Sequence, residues 1–150
     1  MLVTNHVLSG VVIGAAVRRP AAAFALGVAS HFALDATPHW GKFGRREYLR
    51  VAVTDGLVGL AVMGTMTALA SRGSRVAVLA GMAGAALPDL DKPSLLFFGR
   101  SPFPPAVDDF HRRIQHEALR RAHYEATAAV IFGSVGVALL RGRGRKRAMA

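Results

Sequence analysis

Histidine and aspartate stand in this chain at spacings that suit a metal ion. His31, Asp35 and His39 lie four apart in SHFALDATPH, and Asp89 and Asp91 lie two apart in LPDLD. Residues at i and i+4 share a helix face, so His-x3-Asp-x3-His can offer two imidazoles and a carboxylate to one ion. Such a shell suits zinc, manganese or iron, and a divalent ion, zinc or manganese first, is the expected cofactor. An ion held this way would activate water for attack on an ester, a phosphoester before others. The plainer alternative is that Asp35 caps a neighbouring turn and His39 lies at an interface.

Other residues extend the set. Asp89 and Asp91 follow Pro88 on a turn, where both can point to one place as ligands or as a general base; otherwise PDLD is only a helix stop. Asp55 is the one charge in a long apolar run and is expected to join them. His6 follows Asn5 at the start of the first apolar segment, as a ligand or as part of a helix cap. In FHRRIQHE, His111 and Gln115 share a helix face, while His116 points about 140° away from His111. His111 is therefore expected at the site, with Arg112 or Arg113 toward an anionic substrate, unless the stretch is a solvated basic helix. His123 and Glu125 read as surface or interfacial residues. The expected metal set is His6, His31, Asp35, His39, Asp55, Asp89 and Asp91, and the expected catalytic set is Asp89, Asp91 and His111. With no Cys in the sequence, thiolate zinc sites and Cys nucleophiles are excluded. There is no Ser-His-Asp signature, P-loop or dinucleotide fingerprint.

Five apolar segments must position these groups: Leu2 to Val17, Ala21 to Ala36, Val51 to Ala70, Val76 to Leu87 and Ala126 to Leu140. Period-two alternation is absent, Ala and Leu are frequent and Pro marks the ends, so all five are expected to be helices. Gly56 to Ala70 has no polar face, which means deep burial or lipid. Only this segment approaches the roughly 20 apolar residues of a spanning helix. The stretch KPSLLFFGRSPFPP reads as a loop or a surface-hugging turn. From Pro105 to Arg121 an apolar stripe (Val107, Phe110, Ile114, Leu119) opposes a basic face (Arg112, Arg113, Arg120, Arg121), the pattern of an interfacial helix. Gly10 and Gly14 form a GxxxG, and Gly81, Gly84 and Ala85 line the fourth segment, as close helix packing in lipid requires; a composition bias toward Gly and Ala is the alternative.

Composition points the same way. The chain has 150 residues, 52% of them hydrophobic, with 16 Gly and a net charge of +10, and a mean hydropathy of +0.33. That is one domain's worth of chain, apolar for a soluble protein. The fold expected is an all-α integral membrane bundle of about five short helices plus the interfacial helix, as one domain over 1–140 with a basic tail over 141–150. The basic residues form clusters between apolar runs, and with one Trp and two Tyr there is little to stack on bases, so no nucleic-acid partner is expected. No cleavable signal peptide is read at the N-terminus. Helix alternation puts His6, His31 to His39, Asp55, Asp89, Asp91 and the 105–121 segment on one side. Arg18-Arg19, Arg72 to Arg75 and the tail RGRGRKR fall on the other. The density of charge in those turns and the tail favours placing them inside, which sets the site on the outer face of a multi-pass cell-membrane protein.

These motifs resemble those of the small membrane-bound metal-dependent hydrolases of bacteria (YdjM-like). Members of that family carry a His near the start of the first helix, a Pro-Asp-x-Asp motif after an apolar Gly-rich helix, and a Ser-His-x3-Asp motif at another helix end. His6, LPDLD at 87–91 and SHFALDATPH at 30–39 are the corresponding pieces. Their order departs from the usual one, since SHFALD precedes LPDLD here, and the family's HRGxTHS stretch has only the distant FHRRIQHE to match it. The resemblance covers about half the chain and implies a membrane-bound hydrolase with a divalent metal. The His-x3-Asp spacing also resembles part of the zinc-dependent phospholipase C and nuclease ligand set.

The reading that follows is a membrane-bound metal-dependent hydrolase for a small-molecule or lipid phosphoester, with membrane lipid as its partner. Two others remain open: a non-enzymatic membrane protein with a structural metal or polar network, and an ion channel or carrier. A carrier would put its acids near the bilayer midplane, whereas most of these lie at helix ends.

Overall fold

The structure, a computed structural model, describes the backbone of residues 1–148 and the side chains of residues 1–142. Among the described residues it is all-α apart from one short strand pair. The helices are α1 (Val3–Val17), α2 (Pro20–Asp35), α3 (Arg45–Leu69), α4 (Arg75–Ala86), α5 (Asp91–Phe98), α6 (Pro105–Ile114) and α7 (Ala122–Ala148), with 3-10 turns at Leu87–Leu90 and Leu119–Arg121.

The five apolar segments are α1, α2, α3, α4 and α7. Pro20 starts α2 at a position where its missing N–H costs nothing, and Arg18 (φ 62) makes the left-handed turn that separates α1 from α2. The helix α4 packs against both α1 and α2, and small residues allow this. A Cβ at Gly10 would lie 2.5 Å from the Gly81 carbonyl oxygen, and one at Gly84 would lie 2.2 Å from that of Phe24. Backbones so close leave no room for any side chain, so the GxxxG of α1 and the glycines of α4 are contact surfaces. The buried core lies beside them: Val7, Val11 and Ala15 of α1 with Val78 and Met82 of α4, closed by Ala70 and Leu140.

Three elements differ from the sequence expectation. The stretch expected to be a loop after LPDLD begins with α5, because Pro93 falls in the first helical turn, where proline is tolerated, and Gly99 (φ 68) ends the helix four apolar residues later. The expected 105–121 helix stops at Ile114. Gln115 is extended, and His116–Glu117 (β2) pairs in parallel with Pro38–His39 (β1). The His39 carbonyl then accepts a bond from Ala118 N at 3.0 Å. This clip ties the end of α6 to the end of α2. Finally, α7 starts at Ala122 and runs through Ala148 into the stretch expected to be a separate basic tail. Residues 149–150 lie outside the described residues.

Two helices, Arg45–Leu69 and Leu119–Gly142 with its leading turn, are long and apolar enough to cross a membrane. Both leave large apolar side chains exposed, Leu57 and Leu60 on α3 and Val130 and Ile131 on α7 among them.

Candidate metal centre

The ends of α2, α4 and α6 meet at a buried polar cluster. His31 and Asp35 occupy the last turns of α2, Asp89 the 3-10 turn after α4, and His111 the last turn of α6. All four are buried, and one ligand atom from each lies within 4.8 Å of the others. His31 Nε2 is 3.0 Å from His111 Nε2 and 3.2 Å from Asp35 Oδ2, and His111 Nε2 is 2.8 Å from Asp35 Oδ2. Asp89 Oδ1 completes the set at 3.7 Å from His31 Nε2 and 3.9 Å from His111 Nε2. Ligands held ~2.0–2.1 Å from a tetrahedral zinc are separated by about 3.3–3.4 Å. The observed separations scatter around that value.

Local structure orients the donors. Gly27, one turn before His31, lets α2 approach α4 so closely that a Cβ there would lie 2.4 Å from the Gly81 oxygen. That approach brings the Ala85 carbonyl to 2.8 Å from His31 Nδ1. The carbonyl can only accept, so Nδ1 carries a proton, and the Nε2 of a neutral His31 turns its lone pair to the cluster. An imidazole donating through one nitrogen while the other faces the ion is the usual arrangement around a protein-bound metal. Asp35 is the hub. Its Oδ2 also accepts a bond from Gln115 Nε2 at 3.3 Å, while its Oδ1 receives His6 Nε2 at 3.1 Å and the Met1 amino group. His6 stacks on His31 with ring centroids 3.9 Å apart.

Charge balances unevenly across the cluster. Lys92, one turn after Asp89, places its ammonium on Asp89 Oδ1, the atom that faces the two histidines. Burial opposes charge on Asp89, but Lys92, with His6 and His31, outweighs it and holds the carboxyl at about 2. The same pairing pushes the Lys92 ammonium above its ordinary range in spite of burial. Burial pushes the Asp91 carboxyl up, and nearby Lys92 offsets that only in part.

The expected residues thus divide. His31, Asp35, Asp89 and His111 come together as a group that could hold a metal. His6 adjoins it through Asp35. Asp91 stands behind His111, its Oδ2 3.9 Å from the outer nitrogen Nδ1, and is not one of the four. His39 corrects the expected trio: α2 ends at Asp35, so the four-residue register does not carry on to 39. His39 Nδ1 donates to the Thr37 carbonyl at 2.8 Å, and its Nε2 lies 3.9 Å from Glu117 Oε1. The His39 ring beside Glu117 holds that carboxyl below the usual range, against the opposing effect of burial. Asp55 is also corrected. Its carboxylate takes the Val3 and Thr4 N–H groups at 2.6 and 3.2 Å and the Thr4 hydroxyl at 2.6 Å, capping α1. His116 is exposed.

Two residues escaped the sequence reading. Glu125, expected at a surface, is buried and accepts from Asn5 Nδ2 at 2.6 Å and from Leu2 N and Trp40 N at 3.2 Å each. The signal was its place in the first turn of an apolar helix, where a buried acid must find donors. Lys92 opens the stretch expected to be a loop or surface-hugging turn, and its i+3 spacing from Asp89 is the clue to the pairing. No protein-family model, curated protein or solved structure matches this chain.

Proposed function

We propose that this chain is a membrane-bound, metal-dependent hydrolase of a phosphoester, with His31, Asp35, Asp89 and His111 as the ligands of a divalent ion, zinc or manganese. The observation that carries the reading is the convergence of two imidazole nitrogens and two carboxylate oxygens in one buried cluster, with a lysine ammonium at its rim. Two neutral nitrogens and two anionic oxygens form a donor set suited to such ions. When bound, the ion would supply Lewis acidity toward water and toward an ester oxygen.

The chain's own residues would do the rest. Ala85 orients His31, and His6 and Gln115 hold the Asp35 carboxylate in place. Asp91 stands at the outer nitrogen of His111, where a carboxylate raises the basicity of a ligating imidazole. Lys92 is partly exposed while Asp89 is buried, so the cluster reaches solvent on the Lys92 side. An anionic substrate entering there meets the ammonium first, and a cation aimed at the phosphoryl oxygens stabilises charge that grows in the transition state. The apolar faces of α3 and α7 support a place in the bilayer, and with it a lipid-like substrate.

A second reading has its own observation. The Met1 amino group and Lys92 already sit against Asp35 and Asp89, so the cluster could be a self-satisfied polar network in a non-enzymatic membrane protein. Metal analysis of detergent-purified protein, wild type against His31→Ala and Asp35→Ala, separates the two. Stoichiometric zinc or manganese in the wild type and its loss in both variants, followed by metal-dependent cleavage of bis(p-nitrophenyl) phosphate, is the expected result. A folded wild type that takes up neither ion when each is supplied would overturn the hydrolase reading.

A further inference from the structure

The helix α5 leaves the cluster directly: Asp89 is in the turn before it and Asp91 is its first residue. None of its residues is buried. Exposure rises along it, from about half at Leu95 and Leu96 to 74% at Phe97 and 77% at Phe98. Gly99 then turns the chain back, with the Ser94 hydroxyl donating to the Arg100 carbonyl at 2.7 Å. Four consecutive residues of a helix span most of its circumference, so a flat protein surface would cover only some of Leu95, Leu96, Phe97 and Phe98. A helix tip pushed end-on into an apolar layer covers all four.

The place of α5 in the fold says what that layer is. Asp55, in the third turn of α3, and Glu125, in the first turn of α7, both bind the start of α1, and the Met1 amino group just before it reaches Asp35. The cluster therefore lies at the end of the bundle where the two long apolar helices begin, and α5 starts there. Arg45, Arg46 and Arg50 in the first turns of α3, Arg100 after α5, and Arg112 and Arg113 next to His111 in sequence are exposed, Arg112 being paired with Asp109 at 2.9 Å. Exposed apolar side chains next to a run of exposed arginines match the acyl and phosphate levels of an anionic leaflet.

We propose that the tip of α5, Leu95 to Phe98, is a membrane anchor that enters the acyl boundary of an anionic leaflet and holds the mouth of the His/Asp cluster at the level of the lipid headgroups. Arg100, Arg112 and Arg113 face the lipid phosphates, and the substrate class that arrives at Lys92 is then the phosphoester of a lipid headgroup. This rests on the membrane reading above.

The chain has no cysteine, so single nitroxide labels can be placed by Phe97→Cys, Phe98→Cys, Leu60→Cys and Val130→Cys, each at an exposed position. The full chain is reconstituted into phosphatidylcholine vesicles with and without phosphatidylglycerol, and each label is tested for relaxation by oxygen against a water-soluble nickel chelate. The expected result is stronger relaxation by oxygen at 97 and 98, at a depth shallower than 60 and 130, and deeper when phosphatidylglycerol is present. Chelate-accessible labels at 97 and 98, with 60 and 130 in lipid, would overturn the anchor and leave the membrane reading standing. Immobile labels at 97 and 98, shielded from both reagents, would mean a protein contact and also overturn it. Chelate access at all four positions would remove the membrane reading as well.

Discussion

His31 Nδ1 donates to the Ala85 carbonyl oxygen across 2.8 Å, and this bond exists because Gly27 and Gly84 let α2 and α4 touch backbone to backbone. Helix packing and the orientation of a candidate ligand are therefore one feature. Ala85 is the penultimate residue of α4, so the imidazole donates to one of the last carbonyls of that helix.

Glycine substitutions should separate packing from propensity. Gly84→Ala and Gly10→Ala put a methyl group 2.2 and 2.5 Å from a backbone oxygen, so the helices must part. Each should destabilise the fold by about 1–3 kcal/mol or more, and Gly84→Ala should also weaken metal uptake by displacing Ala85 from His31. Gly64→Ala meets nothing within 4 Å inside α3. It should be neutral or stabilising by up to about 1 kcal/mol. Thermal unfolding in detergent, with metal content of the same samples, checks all three.

Metal affinity should fall in a graded order. Alanine at His31, Asp35, Asp89 or His111 removes a ligand and should abolish stoichiometric binding. His6→Ala and Asp91→Ala remove groups behind the ligands, and each should weaken binding by about 10–100-fold. His39→Ala should leave affinity within experimental error, since its nitrogens face Thr37 and Glu117. Competition of zinc with a chelating dye measures the series; equal losses at His39 and His31 would contradict the four-residue set.

Asp55 is a cap. Asp55→Ala strips the acceptors from the first N–H groups of α1 and should cost about 1–2 kcal/mol of stability with metal affinity unchanged. Denaturant titration and metal binding on one preparation distinguish this outcome from a ligand's.

Lys92 competes with any ion for Asp89 Oδ1. Lys92→Met should raise metal affinity roughly tenfold, the lower end of what a hydrogen bond between charged groups is worth, and still lower phosphoester turnover.

The same pair sets an acid limit on the metal-free protein. The Asp89 carboxyl is held at about 2 in the fold against an ordinary value of 3.8. A depressed carboxyl contributes stability that is complete above its unfolded value and is lost as pH falls through the folded one. Unfolding midpoints of the wild type should therefore drop between about pH 4 and about pH 2. In Lys92→Met the buried carboxyl loses its ammonium and keeps only the histidines, so stability is lower at neutral pH and this acid-dependent loss shrinks.

Periodicity and proline placement were enough to mark α1, α2, α3, α4 and α7, because a helix apolar over several turns needs no partner to be recognised. The four-residue spacing of His31 and Asp35 was likewise legible, since both side chains leave one helix on one face. His111 could be expected only by counting helix ends. Tertiary structure alone decided that Asp89 and His111 meet that pair while Asp55 caps α1 and His39 turns to Glu117. Those outcomes depend on where α2 stops, on the strand clip that ends α6, and on the glycine contacts that set the α2–α4 distance. Spacing along a chain describes one helix at a time, and a metal shell is built from the ends of three.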